Sequence, residues 1–155
     1  MSDLNTNLTV YHKLDAASGN EAATVGGAPA GLTDVNTVAA SSNPTKINNC
    51  RNFVRANSEA MTSLDNAVWE IGNADCTIAC WVRLKVKNVD MGIVTKYGSV
   101  GDLRSYHLHY QTSTDRFRLV LYSAGTAASA TAVLANNFGA VSIDTWYFVV
   151  FGYDA

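Results

Sequence analysis

The chain has 155 residues and a formal net charge of −2, and only 15% of its residues are charged. This length allows one domain with a core of its own, and the scattered basic residues argue against nucleic-acid binding. No apolar run approaches the ~20 residues of a membrane span, and the polar amino terminus lacks the features of a secretory signal, so a leaderless chain is expected.

The first half of the chain predicts short strands joined by polar connections. Residues 8–14 alternate in polarity as a first strand does. Between 21 and 49, glycine, proline and small polar residues indicate a long surface connection with one short strand near 36–40. Two further short strands are predicted at 50–54 and 59–64, and an irregular segment or single turn at 67–71.

The second half predicts longer strands. Cys76 to Leu84 alternates, with its apolar residues on one face and Trp81 on the other. Residues 146–151 are apolar on both faces, which is typical of a central strand covered on both sides.

The hairpin at residues 105–122 is the best-defined local feature of the sequence. If Gln111 lies opposite Arg116, the large apolar pairs share one face and most polar pairs share the other. The apolar pairs are Tyr110 with Phe117, Leu108 with Leu119 and Tyr106 with Leu121, and the other face pairs His109 with Arg118, His107 with Val120 and Ser105 with Tyr122. We therefore expect one face to pack on the core and the other to meet solvent or a ligand.

The three cysteines, Cys50, Cys76 and Cys80, are an odd number. Cys76 and Cys80 lie on one predicted strand, roughly 13 Å apart at ~3.3 Å per residue, which is too far for a disulfide between them. Buried free thiols are expected, and a bridge from Cys50 to either of the others is the alternative.

Five segments carry a resemblance to a known family: LTVYHKLDAASGN, NNCRNFVRANSEAMTSLDNAVW, CTIACWVRL, IVTKYG and TWYFVVFGYDA. In this order they resemble a laminin-G-like domain of the concanavalin A-like lectin/glucanase type, as found in bacteriophage virion proteins and bacterial surface proteins. The resemblance implies an all-β fold, an antiparallel jelly-roll β-sandwich over residues 8–155 that follows an amino-terminal extension at 1–7. The family's closing strands after Tyr153 and Asp154 are absent, so we expect a longer polypeptide or a partner chain to complete the sandwich.

The acidic residues do not favour catalysis or metal binding. Glycoside hydrolases of this superfamily need two carboxylates about 5–5.5 Å apart for retention, but none of Glu21, Glu59 and Glu70 lies near an aspartate at strand spacing. We therefore expect no enzymatic activity. Some laminin-G-like domains bind calcium through loop oxygens, but the spacing of the loop aspartates here selects no set, so no cofactor is predicted.

Two groups of residues are candidates for ligand binding. The first lies on the polar face of the hairpin and consists of His107, His109, Arg118 and Tyr122. A solvated polar face, a ligand-contacting patch and a metal pair all remain open for this group, and zinc would need a third ligand. The second group belongs to the loop between Gly98 and Arg104 and consists of Tyr97, Asp102 and Arg104. Tyrosine and arginine suit planar ligands, and an ordinary exposed hairpin connection is the alternative.

These observations and the resemblance lead to one expected function with two alternatives. We expect a non-catalytic binding or adhesion domain of a virion structural protein (a fibre, a spike or a capsid decoration) that recognises a carbohydrate or a cell-surface receptor. Its partners would be other virion proteins or a host-surface glycan, in a homo-oligomer or larger assembly, without nucleic acid or membrane. One alternative is a purely structural virion subunit. The other is a secreted or cell-surface bacterial carbohydrate-binding module.

Overall fold

The structure is a computed structural model that describes residues 8–27, 30–41, 49–71, 74–98, 100–137 and 139–155. Within these residues the chain forms antiparallel strands, and its helical structure consists of short 3-10 turns. The strands are β1 (Thr33–Val35), β2 (Ala39–Ser41), β3 (Cys50–Asn52), β4 (Ala60–Thr62), β5 (Cys76–Arg83), β6 (Met91–Gly98), β7 (Leu103–Gln111), β8 (Arg116–Tyr122), β9 (Ala130–Leu134) and β10 (Trp146–Tyr153). The all-β prediction is confirmed, and the jelly-roll connectivity stays a prediction.

The chain divides into two compact units, Met1–Glu70 and Ile71–Ala155. The predicted extension at residues 1–7 lies outside the described residues. The single sandwich predicted over 8–155 stays a prediction.

In the first unit, β1 pairs with β4 and β2 pairs with β3, while a buried ion pair connects the segments around them. The Nη2 of Arg51 lies 3.3 Å from Oε2 of Glu21 and donates a hydrogen bond to the carbonyl of Gly19 at 2.7 Å. Its Nη1 donates to the carbonyl of Val38 at 3.2 Å. Because a buried charge is costly unless it is paired, this arginine holds two separate chain segments, one at Gly19 to Glu21 and one at Val38, to β3.

The strand predicted at residues 8–14 is wrong. Tyr11 forms one isolated bridge with Val25, and the extended chain ends at Leu14, which has a φ of 55°. A left-handed residue of this kind interrupts a strand, and alternation of polarity does not reveal it.

The other predictions for the first unit agree better with the structure. The strand expected near 36–40 is β2, and it begins only at Ala39 because Asn36 and Thr37 have φ values of 59° and 62°. The strands predicted at 50–54 and 59–64 are the shorter β3 and β4. The single turn predicted at 67–71 is the 3-10 turn Ala67–Trp69.

The second unit contains a four-stranded sheet of order β6-β7-β8-β9 and a two-stranded sheet of β5 and β10. Both sheets contribute side chains to one core, so the unit resembles a sandwich. The buried members of this core are Leu84, Tyr106, Leu108, Tyr110, Phe117, Leu119, Val141, Val149 and Phe151.

The predicted register of the β7–β8 hairpin is confirmed from Tyr106 to Gln111. Gln111 lies opposite Arg116 and Tyr110 lies opposite Phe117. The side chains of Leu108 and Phe117 have no exposed surface, as expected for the face that packs on the core.

The outward face of β10 differs from the prediction. In β5 the alternation holds, with Ile78 and Cys80 packed against the core. In β10, Val149 is buried, but Phe148 and Val150 are 55% and 51% exposed. The prediction that this strand is covered on both sides is therefore wrong, because only its inward face meets the other sheet.

All three cysteines are free thiols, as predicted. They are partly rather than fully buried. Burial nevertheless raises the pKa of the Cys80 thiol to about 11, which keeps it protonated and unreactive at neutral pH.

Candidate ligand-binding face

The candidate site lies on the outward face of the four-stranded sheet. Successive residues of a strand point to opposite faces, so His107 and His109 point away from the core that receives Leu108. In the neighbouring strands, Thr95 of β6 lies opposite His107, and Arg118 of β8 lies opposite His109.

A β-bulge adds Arg104 to this face. The pairing of β6 with β7 shifts by one residue between Lys96 and Tyr97, so that Tyr97 lies opposite Arg104. Bulges re-aim the side chains next to them, and the guanidinium carbon of Arg104 lies 5.4 Å from the centre of the Tyr97 ring.

The loop predicted between Gly98 and Arg104 is shorter than expected. β6 extends to Gly98 and β7 begins at Leu103. Tyr97 and Arg104 are consequently strand residues, whereas Asp102 lies in the connecting turn with a φ of 54°.

Four rings form a continuous row across three strands. The ring centre of Tyr97 lies 5.3 Å from that of His107 and 5.8 Å from that of Tyr122. The two histidine rings lie 4.1 Å apart and are nearly parallel, at 19°. The two groups predicted from the sequence therefore form one surface. This surface, termed the ring face, consists of Tyr97, Arg104, His107, His109, Arg118 and Tyr122.

Members of the ring face differ in accessibility. Tyr97 is 46% exposed, whereas His109 is 4% exposed. The Nδ1 of His109 lies 3.3 Å from the backbone carbonyl of His107. His109 therefore supports the row from within, and Tyr97 presents an open ring to solvent.

A turn interaction fixes Arg104 at the edge of the ring face. Its Nη1 donates to Oδ1 of Asp102 at 3.2 Å and to the carbonyl of Gly125 at 3.4 Å. Gly125 has a φ of 72°, and a Cβ at this position would overlap the backbone carbonyl oxygen of Asp102. The two turns can approach this closely only because residue 125 is glycine.

The electrostatic surroundings keep the histidines uncharged. Burial lowers the pKa of His107 to about 4, with further lowering by His109 and Arg118 and an opposing effect from Asp90. Burial likewise lowers the pKa of His109, and the nearby Arg118 acts in the same direction. Asp90 itself accepts a hydrogen bond from the backbone N–H of Thr112 at 2.8 Å, which lowers its pKa.

Sequence reasoning missed two contributors to this site. Asp90 immediately precedes β6, and its closeness to the histidines depends on the β6–β7 register, which was not predicted. Gly125 lies in a turn far from Asp102 in sequence, and only its residue type indicated a special backbone. Neither position is distinguished by alternation of polarity.

A metal pair at His107 and His109 lacks further ligands. Across the described ranges, no group of three or more histidine, cysteine, aspartate or glutamate side chains could hold a metal ion. The stacked arrangement of the two imidazoles suits packing against each other and against planar groups.

A second exposed surface lies on the outward face of the β5–β10 sheet. The Trp81 and Phe148 rings lie 5.1 Å apart there and are 41% and 55% exposed. Val150 extends the surface along β10, and Arg83 lies over the Trp146 ring at 5.9 Å. This surface, the apolar outer face, consists of Trp81, Phe148 and Val150.

An open cavity of about 160 Å³ lies between the β8–β9 end of the larger sheet and β10. Its lining consists of Leu119, Leu121, Thr131, Ala132, Val133, Gly152 and Tyr153. Val133 lies opposite Leu119, on the side that faces the core, yet it is 49% exposed. The core is therefore incompletely covered at this end.

No protein-family model, no curated protein and no solved structure matches this chain. Among the described residues, no helix has the length and apolar character needed to cross a membrane. The resemblance to laminin-G-like domains stays a prediction from the sequence motifs.

Proposed function

We propose that this chain is a non-catalytic recognition domain that binds a saccharide on its ring face. The single observation that carries the proposal is the continuous row of rings from Tyr122 through Tyr97 to His107 and His109. Saccharide rings have apolar faces that pack on aromatic side chains, and their hydroxyl groups accept hydrogen bonds from guanidinium and imidazole N–H groups. The ring face supplies both kinds of contact side by side.

The biological setting that we propose is supported by the sequence motifs. The resemblance to laminin-G-like domains of phage virion proteins supports a place in a fibre, spike or capsid decoration, with a host-surface glycan as the partner. Recognition by such a domain needs no catalytic carboxylate pair, which agrees with the scarcity of glutamate in this chain.

The test is saccharide binding by the Tyr97→Ala variant, because Tyr97 is the most exposed ring of the row. We expect about a tenfold loss of affinity, equivalent to about 1.4 kcal/mol, for the loss of one stacking platform. The matched control is Phe148→Ala, which removes a similarly exposed ring from the apolar outer face. Equal effects of the two variants on binding would refute the placement of the site.

A second function is favoured by a different observation. The apolar outer face and the open cavity beside β10 leave apolar surface that a neighbouring subunit would cover. The chain would then be a structural virion subunit that docks on other capsid or tail proteins. This function makes no use of the ring face, so variants of the two surfaces separate the two proposals.

A further inference from the structure

Arg118 is the one arginine of the second unit for which the described residues offer no hydrogen-bond or ion-pair partner. The other three each have at least one: Arg83 lies 3.7 Å from Asp144, Arg104 lies 3.2 Å from Asp102, and Arg116 donates to the carbonyl of Asp115 at 2.9 Å. Arg118 is half-buried in the middle of β8, and its guanidinium nitrogens keep contact with solvent, which leaves them accessible to a ligand.

The imidazole of His107 also has ring nitrogens that make no hydrogen bond within the described residues. Its ring makes a tilted contact with Tyr97 and a stacked contact with His109. Histidine can donate from both nitrogens when it is protonated. The ring face thus holds two adjacent groups that can each donate hydrogen bonds to an anion.

The residue next to Nε2 of His107 on β6 is a glycine, which places no side chain there. Gly92 of β6 lies opposite His109 and is exposed. A Cβ at Gly92 would lie 3.8 Å from Nε2 of His107, so any larger side chain would project beside this nitrogen. Because residue 92 is glycine, Nε2 stays open on that side.

Titratable and charged groups surround His107 on its own strand and on both neighbouring strands. In β8, Val120 lies directly opposite His107, and Arg118 and Tyr122 lie at the diagonal positions on either side. The Tyr97 ring of β6 contacts His107, and His109 stacks on it within β7. Asp90 lies before β6, and Arg104 at the start of β7 is neutralised by Asp102. Burial, His109 and Arg118 lower the pKa of His107 to about 4, so the imidazole is neutral at pH 7 in the free protein. It gains a proton near neutral pH only when a bound ligand brings a negative charge next to it.

We propose that the saccharide bound by the ring face is acidic, and that its carboxylate or sulfate group pairs with Arg118 and with a protonated His107. This inference rests on the proposed function and specifies its ligand class. The anion satisfies the unpaired guanidinium in the planar geometry that arginine favours. The sugar ring then packs on Tyr97.

The proposal predicts that binding takes up a proton. An anion beside His107 raises the pKa of the imidazole above its value in the free protein, because opposite charge favours the protonated form. Between these two pKa values the complex holds more protons than the free protein. Affinity therefore rises as pH falls, by up to about tenfold per pH unit for one proton.

The experiment has two stages, the first of which is an array of neutral, sialylated, uronic-acid and sulfated oligosaccharides probed with the whole chain at pH 6. We expect binding to acidic members, and the sialylated, uronic-acid and sulfated arms show whether carboxylate or sulfate is preferred. Selective binding of neutral saccharides would overturn this inference and leave the proposed function intact. Binding of no saccharide would overturn the proposed function as well.

The second stage measures the affinity of the best acidic saccharide by calorimetry at pH 7, 6 and 5, with circular dichroism confirming that each variant stays folded. We expect Arg118→Gln to weaken binding at least about tenfold, as expected for loss of a charge-assisted hydrogen bond. His107→Gln should abolish the gain in affinity on acidification, because the group that takes up the proton is gone. The control is Arg55→Gln, an exposed arginine of the first unit, and equal losses for Arg118→Gln and Arg55→Gln would overturn the inference.

Discussion

Individual arginines in this chain occupy different electrostatic environments. Arg51 is buried and its two terminal nitrogens are paired with Glu21 and two backbone carbonyls, whereas Arg55 lies exposed in a 3-10 turn. Arg118 is half-buried, and the described residues supply no partner for it. The pairing of Arg51 therefore stabilises the fold, whereas Arg118 has a guanidinium that is available to a ligand.

The buried ion pair predicts a large difference between two arginine variants. Arg51→Ala leaves Glu21 as a buried charge without its partner, which should lower the free energy of unfolding by roughly 3–5 kcal/mol. Arg55→Ala removes the same charge from an exposed site and should change it by less than about 0.5 kcal/mol. Urea unfolding of both variants measures the difference, and similar midpoints would contradict the structural role of Arg51.

At the scale of elements, the β7–β8 hairpin could be predicted from the sequence because one register places the apolar pairs on one face and most polar pairs on the other. A shift of one residue would mix apolar pairs such as Leu108 with Leu119 into the polar face. The bulge opposite Tyr97 follows no such pattern. Alternation of polarity therefore could not predict that Tyr97 and Arg104 lie on the same face of the sheet as the two histidines.

The turns that hold Arg104 give a prediction at the same scale. Gly125→Ala forces a positive φ on alanine and also creates an overlap with the carbonyl of Asp102, so we expect a loss of about 2–3 kcal/mol in stability. Gly139 has the same φ of 72°, but no atom lies within 4 Å of the position that a Cβ would take there, so Gly139→Ala should cost about 1 kcal/mol. Thermal unfolding measures the stability of both variants, and the difference between them is the cost of the overlap with Asp102. Equal losses of stability would show that the turns at Asp102 and Gly125 do not approach closely.

At the scale of the whole molecule, the exposed apolar surface departs most from what the sequence predicts. The apolar residues of β10 indicated that both faces of the strand are buried. The sequence pattern does not distinguish burial by the same chain from burial by another chain. Phe148 and Val150 are exposed, and the core is open beside Val133. These features are typical of surfaces that mediate association.

Association through the apolar outer face predicts the behaviour of a charged variant. Phe148→Asp places a carboxylate beside Trp81 and should convert an assembled species into monomers, because an unpaired charge is costly to bury in an interface. Native mass spectrometry measures this change, with Tyr97→Ala as a control that retains the assembly. A wild-type chain that is monomeric at high concentration would contradict the structural role.

The measurement that tests the central claim most directly is a backbone NMR titration of the chain with the best-binding saccharide from the array. The account predicts that the largest amide shift changes occur on the outward residues of β6, β7 and β8, around Tyr97, His107 and Arg118. Shift changes concentrated at Trp81 and Phe148, with none on the ring face, would contradict it.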